Sequence, residues 1–315
     1  MTAPGPANIP KIELVDGSKP LHSLTGYTNQ ALAYYSRGPV AMEHGQHIQT
    51  QSEVDIYALD FGRYLWDPRF AFDPTKFANP QLKVTWDEDV ADTSVTVNSM
   101  EIWAELFDEK PVTPEGFLSA RALWTGSFSA ENSVNEVSIP GDEVVRQILM
   151  RAHYDGYEPW YQVDIAKLDE EAGGKVIFDY TDLEMFYRRM KSRWPMLQIP
   201  FIGEPTTTAR VFYIAPSDFW CTIDLTPVAA NNYAYLAGAS AKGGKADVRS
   251  NANGQYTGMA KGYLPWSTFQ FPLGKQDDPD DWCDPAGKNL RLRLTSNTAG
   301  VSGDGDVVVE TVHKY

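Results

Sequence analysis

The sequence has few of the residues that build metal centres, disulfide frameworks and nucleic-acid interfaces. It contains 2 Cys and 5 His among 315 residues, and two thiols in so long a chain do not form a disulfide framework. Lys and Arg total 27 against 42 Asp and Glu, which gives a net charge of −15. Because phosphate binding needs clustered basic residues, this balance argues against direct contact with nucleic acid. An acidic surface does keep an assembling protein in solution.

Long hydrophobic runs are also missing. The N-terminus, Met1-Thr2-Ala3-Pro4-Gly5-Pro6, has neither a basic segment nor an apolar one, so it predicts no secretory signal. The sequence contains no run of about 18 apolar residues, the length that a helix needs to cross a bilayer. We therefore expect a soluble protein made in a cytoplasm, and the Pro/Gly/Ala-rich residues 1–10 predict a flexible arm.

The sequence also lacks the short motifs of common enzymes. There is no G-x-S-x-G, no phosphate-binding loop and no dinucleotide fingerprint. A Ser-His-Asp triad is assembled in space, and no pattern singles out one serine for it. The pair His44 and His47 has no third ligand nearby, so we predict no catalytic, cofactor or zinc residue. A calcium site is the one metal candidate, on four carboxylates of one loop that lacks EF-hand spacing: Asp277, Asp278, Asp280 and Asp281.

What the sequence does contain is strand patterning. Polar and apolar residues alternate, or β-branched residues cluster, in many short segments, as is typical of half-buried strands. The clearest of these are 48–59, 82–86, 99–107, 144–151, 162–166, 175–178, 211–214, 219–225, 290–294 and 307–312. Residues 238–258 are rich in Gly, Ala, Asn and Ser without a period and predict a long exposed loop.

One helix is predicted, over about 181–194. Thr181 and Glu184 form a capping-box pattern, apolar residues then recur at helical spacing to Trp194, and Pro195 ends the run. Residues 25–36 fit a helix or a strand equally well. The fold class predicted is therefore all-β with few helices.

One order of features occurs in both halves of the chain. An aromatic Tyr-Leu pair with a nearby Trp (64–66 and 263–266) opens an Asp-Pro loop, and the loop leads to an alternating strand, a polar turn and a last strand. The segment 110–116 has two prolines and a glycine and is the best linker. We therefore predict two jelly-roll β-sandwiches side by side, with the first jelly roll at 11–112 and the second at 113–315.

Some segments of the chain resemble a known family. They are the loop with Phe61-Gly62-Arg63 and Trp66-Asp67-Pro68, the segment from Asn79 to Trp86, the Pro-Gly linker and the segment from Ile139 to Arg146. By pattern, over most of 45–315, the chain resembles the double jelly-roll major capsid proteins of tailless icosahedral viruses, particularly small bacteriophages.

The resemblance implies a structural protein of the virion, made in the host cytoplasm. It implies a homotrimer that forms a pseudo-hexagonal tile of an icosahedral shell, with loops at 230–260 facing outward as towers. The implied partners are neighbouring copies, other capsid proteins such as a penton protein, and an internal membrane touched by the N-terminal arm. No catalytic residue and no cofactor is implied. The first half is short for eight strands, so residues 1–115 form either a compact jelly roll or an incomplete sandwich attached to one full jelly roll.

The sequence also fits two other functions. Aromatic residues and Asp-rich loops would suit a receptor- or glycan-binding module, such as a fibre head, with Trp266 and Trp282 as contact residues. The abundant carboxylates would suit a jelly-roll enzyme acting on polysaccharide.

Overall fold

The computed structural model describes residues 4–39, 47–48, 54–87, 99–108, 111–128, 130–170, 174–203, 210–225, 234–250, 256–297 and 303–315. The strands before the linker are β1 (Lys11–Asp16), β2 (Lys19–Leu24), β3 (His47–Ile48) and β4 (Pro80–Thr85). Those that follow are β5 (Gly116–Phe128), β6 (Val134–Ser138), β7 (Val145–His153), β8 (Val163–Glu170), β9 (Val176–Tyr180), β10 (Leu197–Gly203), β11 (Arg210–Tyr213), β12 (Pro216–Leu225), β13 (Ala234–Lys242), β14 (Lys245–Ser250), β15 (Tyr256–Pro265), β16 (Thr268–Pro272), β17 (Leu290–Ser296) and β18 (Gly303–Lys314). Two α-helices are described, α1 (Gly26–Arg37) and α2 (Leu183–Met190). The predicted all-β class and the helix near 181–194 are confirmed.

Eight strands of the second half form two facing antiparallel sheets. One has the order β16-β7-β18-β5 and the other the order β6-β17-β8-β9. Taken along the chain, successive strands pass from one sheet to the other, except that β8 and β9 are neighbours in one sheet, and this order defines a jelly roll. The core between them combines aliphatic strand residues with a stack of aromatic rings from β9, α2 and β16: Phe178, Tyr180, Phe186, Phe269 and Phe271.

The strands inserted between β9 and β16 form a second pair of sheets, and β3, from before the linker, pairs in parallel with β10 at the edge of one of them. One has the order β12-β15-β10-β3 and the other β11-β14-β13. Their shared core contains Ile199, Phe201, Phe212, Val248 and Tyr256. This insertion corrects the predicted loop over 238–258, of which the described residues lie in strands except for a two-residue turn. The turn between β13 and β14 is Gly243-Gly244, both at positive φ, which is the backbone that a two-residue hairpin requires.

Residues before the linker extend the jelly roll on its other side. Strands β1, β2 and β4 continue the sheet beyond β5, in the order β5-β2-β1-β4, and α1 packs on the outer face of that sheet against Ala120, Leu149 and Val308. Residues 40–46, 49–53 and 88–98 lie outside the described part. The first jelly roll over 11–112 therefore stays a prediction, as does its boundary with the second.

Three other expectations differ from the structure. Residues 48–59 and 99–107 were predicted as strands. Ile48 ends β3 and 49–53 lie outside the described part, but 54–59 and 99–107 belong to no sheet in the described part of the chain. Residues 4–10 pack against the domain, with Pro6 and Ile9 buried and the Gly26 amide bonded to the Ile9 carbonyl at 2.8 Å. This differs from the flexible arm predicted for 1–10.

The two helices begin at capped residues. At α2 the cap is Asp182, whose carboxylate accepts from the Met185 amide at 2.9 Å, so the predicted capping box at Thr181 is displaced by one residue. At α1, Thr25 accepts from the Thr28 amide at 3.2 Å, and the Thr28 hydroxyl accepts from the Thr25 amide at 3.0 Å.

We expect Thr25→Ala to lower the free energy of unfolding by about 1 kcal/mol, because it leaves a helix amide without its acceptor. Chemical denaturation measures the change. Thr25→Ser keeps the oxygen and serves as the control; equal losses in both variants would show that the cap does not act through this bond.

His22 joins β2 to the jelly roll. The parallel pairing of β2 with β5 has a single bridge, Ser23 to Arg121, and side chains supply further bonds. The Ala120 amide donates to His22 Nδ1 at 3.1 Å, and the Ser119 hydroxyl donates to the Leu21 carbonyl. Burial lowers the pKa of His22 from 6.5 to about 4.

We expect this histidine to make stability depend on pH between about 6.5 and 4. Above 6.5 the imidazole is neutral in both states. Below 6.5 the unfolded chain takes up a proton that the folded chain refuses, so about 2 kcal/mol is lost between pH 6.5 and 5. Denaturation at several pH values measures the slope. His22→Asn can still accept from the Ala120 amide, and it should flatten this part of the profile; an unchanged slope would assign the effect to other groups.

Candidate assembly surface

The most exposed apolar side chains of the described chain belong to one extended segment. Over 99–107, Ile102 is 68% exposed, Trp103 87% and Leu106 71%. No strand pairing is assigned to this segment among the described residues. Monomeric soluble proteins rarely leave contiguous apolar surface of this kind uncovered. We call residues 99–107 the exposed segment.

The exposed segment touches the loop that opens with the Tyr-Leu pair of the first half. Phe107 packs edge to face on Trp66, with ring centroids 5.5 Å apart. Tyr64, Leu65 and Trp66 are themselves about half exposed. The apolar surface therefore extends from the exposed segment onto this loop.

The loop is held rigidly by Asp67. Its buried carboxylate accepts two bonds from the Arg63 guanidinium, at 2.7 and 2.9 Å, and others from the Arg63 and Arg69 amides. Burial opposes ionisation, but these bonds outweigh it and lower the pKa of Asp67. The backbone that bears the exposed rings is therefore already ordered, so binding of a partner protein there costs less conformational entropy.

The four predicted calcium ligands lie beside this same loop. Arg63 donates to the Asp277 carbonyl at 2.7 Å, and Arg69 lies 3.8 Å from Asp280. Asp278 accepts from the Asp280 amide at 3.3 Å, and Asp281 accepts from the Lys275 amide at 2.8 Å. These carboxylates shape a turn and have arginines beside them. No group of three or more His, Cys, Asp or Glu suited to a metal occurs in the described ranges, and the calcium site stays a prediction.

A serine, a histidine and an aspartate do come together, which no sequence pattern indicated. Ser267 Oγ lies 3.1 Å from His153 Nδ1, and His153 Nε2 lies 3.3 Å from Asp155 Oδ1. Burial lowers the pKa of His153, and the hydrogen bond from His153 lowers that of Asp155. Ser267 also has a positive φ of 60° and bonds Ser217 Oγ at 2.9 Å.

The orientation of this trio is the reverse of a hydrolase site. Ser267 is fully buried, whereas Asp155 is exposed. A nucleophilic serine must meet substrate, with the carboxylate behind the histidine. The trio instead clamps the corner between β15 and β16, where Leu264, Trp266 and Ser267 all have positive φ.

A polar cavity of about 420 Å³ lies between the jelly roll and the insertion. Its charges are largely satisfied by one another: Lys242 bonds Glu158 at 2.6 Å, and Tyr187 donates to Asp218. The Trp160 ring stacks on the Tyr187 ring at 5.1 Å, and both side chains are buried, so they present little surface to a sugar. One oxygen, Glu158 Oε2, is buried without a partner in the described structure.

The two tryptophans named for glycan binding are buried. Trp266 and Trp282 are each 6% exposed, and their indole nitrogens donate to Gln30 and to the Lys275 carbonyl, both at 2.7 Å. They therefore hold the fold together and offer no platform for a ligand. Both cysteines, Cys221 and Cys283, are free thiols.

No helix in the described part of the chain is both long and apolar enough to cross a membrane. No protein-family model matches the sequence, and no curated protein matches it. Among solved structures, the chain is similar to the crystal structure of the major capsid protein P2 from bacteriophage PM2. The TM-score is 0.47 and the identity 11%, over 98% of this chain and 83% of that one.

Proposed function

We propose that this chain is a capsid subunit, a structural protein that assembles with copies of itself into the closed shell of a virus particle. The observation that carries the proposal is the exposed segment, an uncovered apolar strand pattern on an all-β body. Aromatic residues and Met are enriched where proteins meet other proteins, and this segment contains Met100, Trp103 and Phe107.

The body that bears this segment supports the proposal. A jelly roll joins its two sheets through a core of interlocked rings, and its antiparallel pairings are long, such as the twelve-residue β18 against β5. A domain of this kind is rigid, so its sheet edges and loops can contact neighbouring subunits without a change in the fold. The net charge of −15 keeps free subunits in solution before they assemble.

The finer form of the assembly follows from the family that the sequence resembles. We propose a homotrimer as the capsomer and the virion shell as its location. Contacts with a penton protein, and with an internal membrane through the N-terminal residues, stay predictions. A non-enzymatic role is part of the proposal, and the reversed orientation of Ser267, His153 and Asp155 supports it.

Sedimentation velocity and negative-stain electron microscopy of the expressed protein test the proposal. We expect trimers or closed shells that persist over a range of salt concentrations, because apolar contacts are weakened little by screening. A strictly monomeric protein at high concentration in all these conditions would overturn it.

A further inference from the structure

The seven-stranded sheet ends in an edge that no described strand covers. Strand β4 pairs with β1 on one side only. Leu82 is 38% exposed and lies on the same face as Val84, while Lys83 is exposed on the other face. An uncovered edge of this kind presents a row of backbone donors and acceptors to another strand.

The exposed segment has the pattern that this edge requires. Its backbone is outside any sheet in the described chain, and its residues alternate with a period of two. Met100, Ile102, Ala104 and Leu106 share one face, and Glu101, Trp103, Glu105 and Phe107 share the other. One chain thus contains a sheet edge that is open on one side and an extended segment that pairs with no described strand.

The two strands are complementary in polarity and in charge. Any pairing that sets Glu101 or Glu105 opposite Lys83 also sets the apolar face of the segment beside Leu82 and Val84, because both strands alternate with the same period. Lys83 has no ion pair assigned to it in the described ranges, and an opposite charge directly across a sheet is favourable.

The segment does not occupy the edge of its own chain in this structure. Its Phe107 end rests on Trp66, and β4 remains the last strand of its sheet. The partner that offers both a matching edge and a matching strand is a second copy of the chain.

We infer that residues 99–107 of one subunit add as a strand to β4 of a neighbouring subunit, with Glu101 or Glu105 facing Lys83. This inference rests on the proposed function and names the contact through which copies join. Main-chain hydrogen bonds would supply the attachment, and the alternating side chains would set the register.

Disulfide trapping between two differently tagged, co-expressed variants tests the inference. One carries Lys83→Cys, and the other carries Glu101→Cys or Glu105→Cys. Directly paired strand residues have Cβ atoms about 4.5–5.5 Å apart, close enough for a disulfide after a small shift. We expect a cross-linked heterodimer from at least one pairing, with the bond located by peptide mapping.

Met185→Cys in place of Lys83→Cys is the matched control. Met185 is 60% exposed on α2, away from the sheet edge, and should give no heterodimer. The native thiols should contribute little, because burial raises the pKa of Cys221 to about 11 and raises that of Cys283.

The outcomes separate this inference from the proposed function. Shells or trimers that form without a cross-link from either pairing would overturn the strand addition and leave the capsid proposal standing. A protein that stays monomeric would overturn both. A chain carrying Lys83→Cys together with Glu105→Cys that closes a disulfide within the monomer would show that its own segment covers the edge, and would also overturn the inference.

Discussion

Glu310→Ala is expected to lower the free energy of unfolding by about 3–5 kcal/mol, the largest loss that we predict from one side chain. Glu310 lies in β18, and its carboxylate is 2% exposed. It accepts from Arg146 at 3.1 Å and from Gln147 at 2.6 Å. Removing it leaves the Arg146 guanidinium buried without its counter-charge, and an uncompensated buried charge is costly.

Chemical denaturation followed by fluorescence measures this loss. Glu136→Ala is the matched control, since Glu136 also bridges arginines across neighbouring strands but at the surface, and exposed ion pairs contribute little. The double variant Arg146→Met with Glu310→Leu should recover much of the loss, because it removes both charges together. A loss below about 1 kcal/mol in Glu310→Ala would mean that the pair does not hold β7 to β18.

Ile102→Asp combined with Leu106→Asp is expected to abolish assembly while leaving the subunit folded. Both side chains are more than two-thirds exposed, so the folded monomer loses almost no buried contact. In an assembled interface the two new carboxylates would be buried without partners, which costs several kcal/mol each. That is enough to reduce association by several orders of magnitude.

Sedimentation velocity measures assembly, and circular dichroism with thermal melting reports the fold. Met185→Asp changes a similarly exposed apolar residue on α2 and should assemble normally. Trimers or shells of unchanged size from the double variant would show that the exposed segment lies outside the contacts between copies.

Most strands could be predicted from alternation alone, because side chains on the two faces of a sheet meet different environments. Strands β4, β7, β17 and β18 were placed within a few residues of their positions. The strands β13 and β14 were missed, since Gly, Ala and Ser carry little hydrophobic signal. These strands are stabilised by their backbone ladder and by a few buried residues, Ala246 and Val248 among them.

Helix α1 was ambiguous in sequence because its polar residues are buried. Asn29 and Gln30 donate to the carbonyls of Ala58 and Ile56, which are distant in the chain. Hydrophobic periodicity detects buried apolar side chains and therefore misses polar side chains that are buried with their hydrogen bonds satisfied. The contact between Ser267 and His153 could not be predicted for a different reason, since it depends on where the distant strands β7 and β15 end.

By itself the sequence determined the all-β class, the helix near 181–194 and the acidic charge. The class and the helix depend on residues close together in the chain, and the charge depends on composition alone. Only the tertiary structure decided which strands pair, that the strands between β9 and β16 form a second pair of sheets, and that 99–107 pairs with no described strand. The sequence predicts a strand at both β7 and the exposed segment, but β7 lies between β16 and β18, which are far along the chain. Alternation in sequence indicates which side chains face the core. Whether the segment joins a sheet depends on a pairing strand that is distant in the chain.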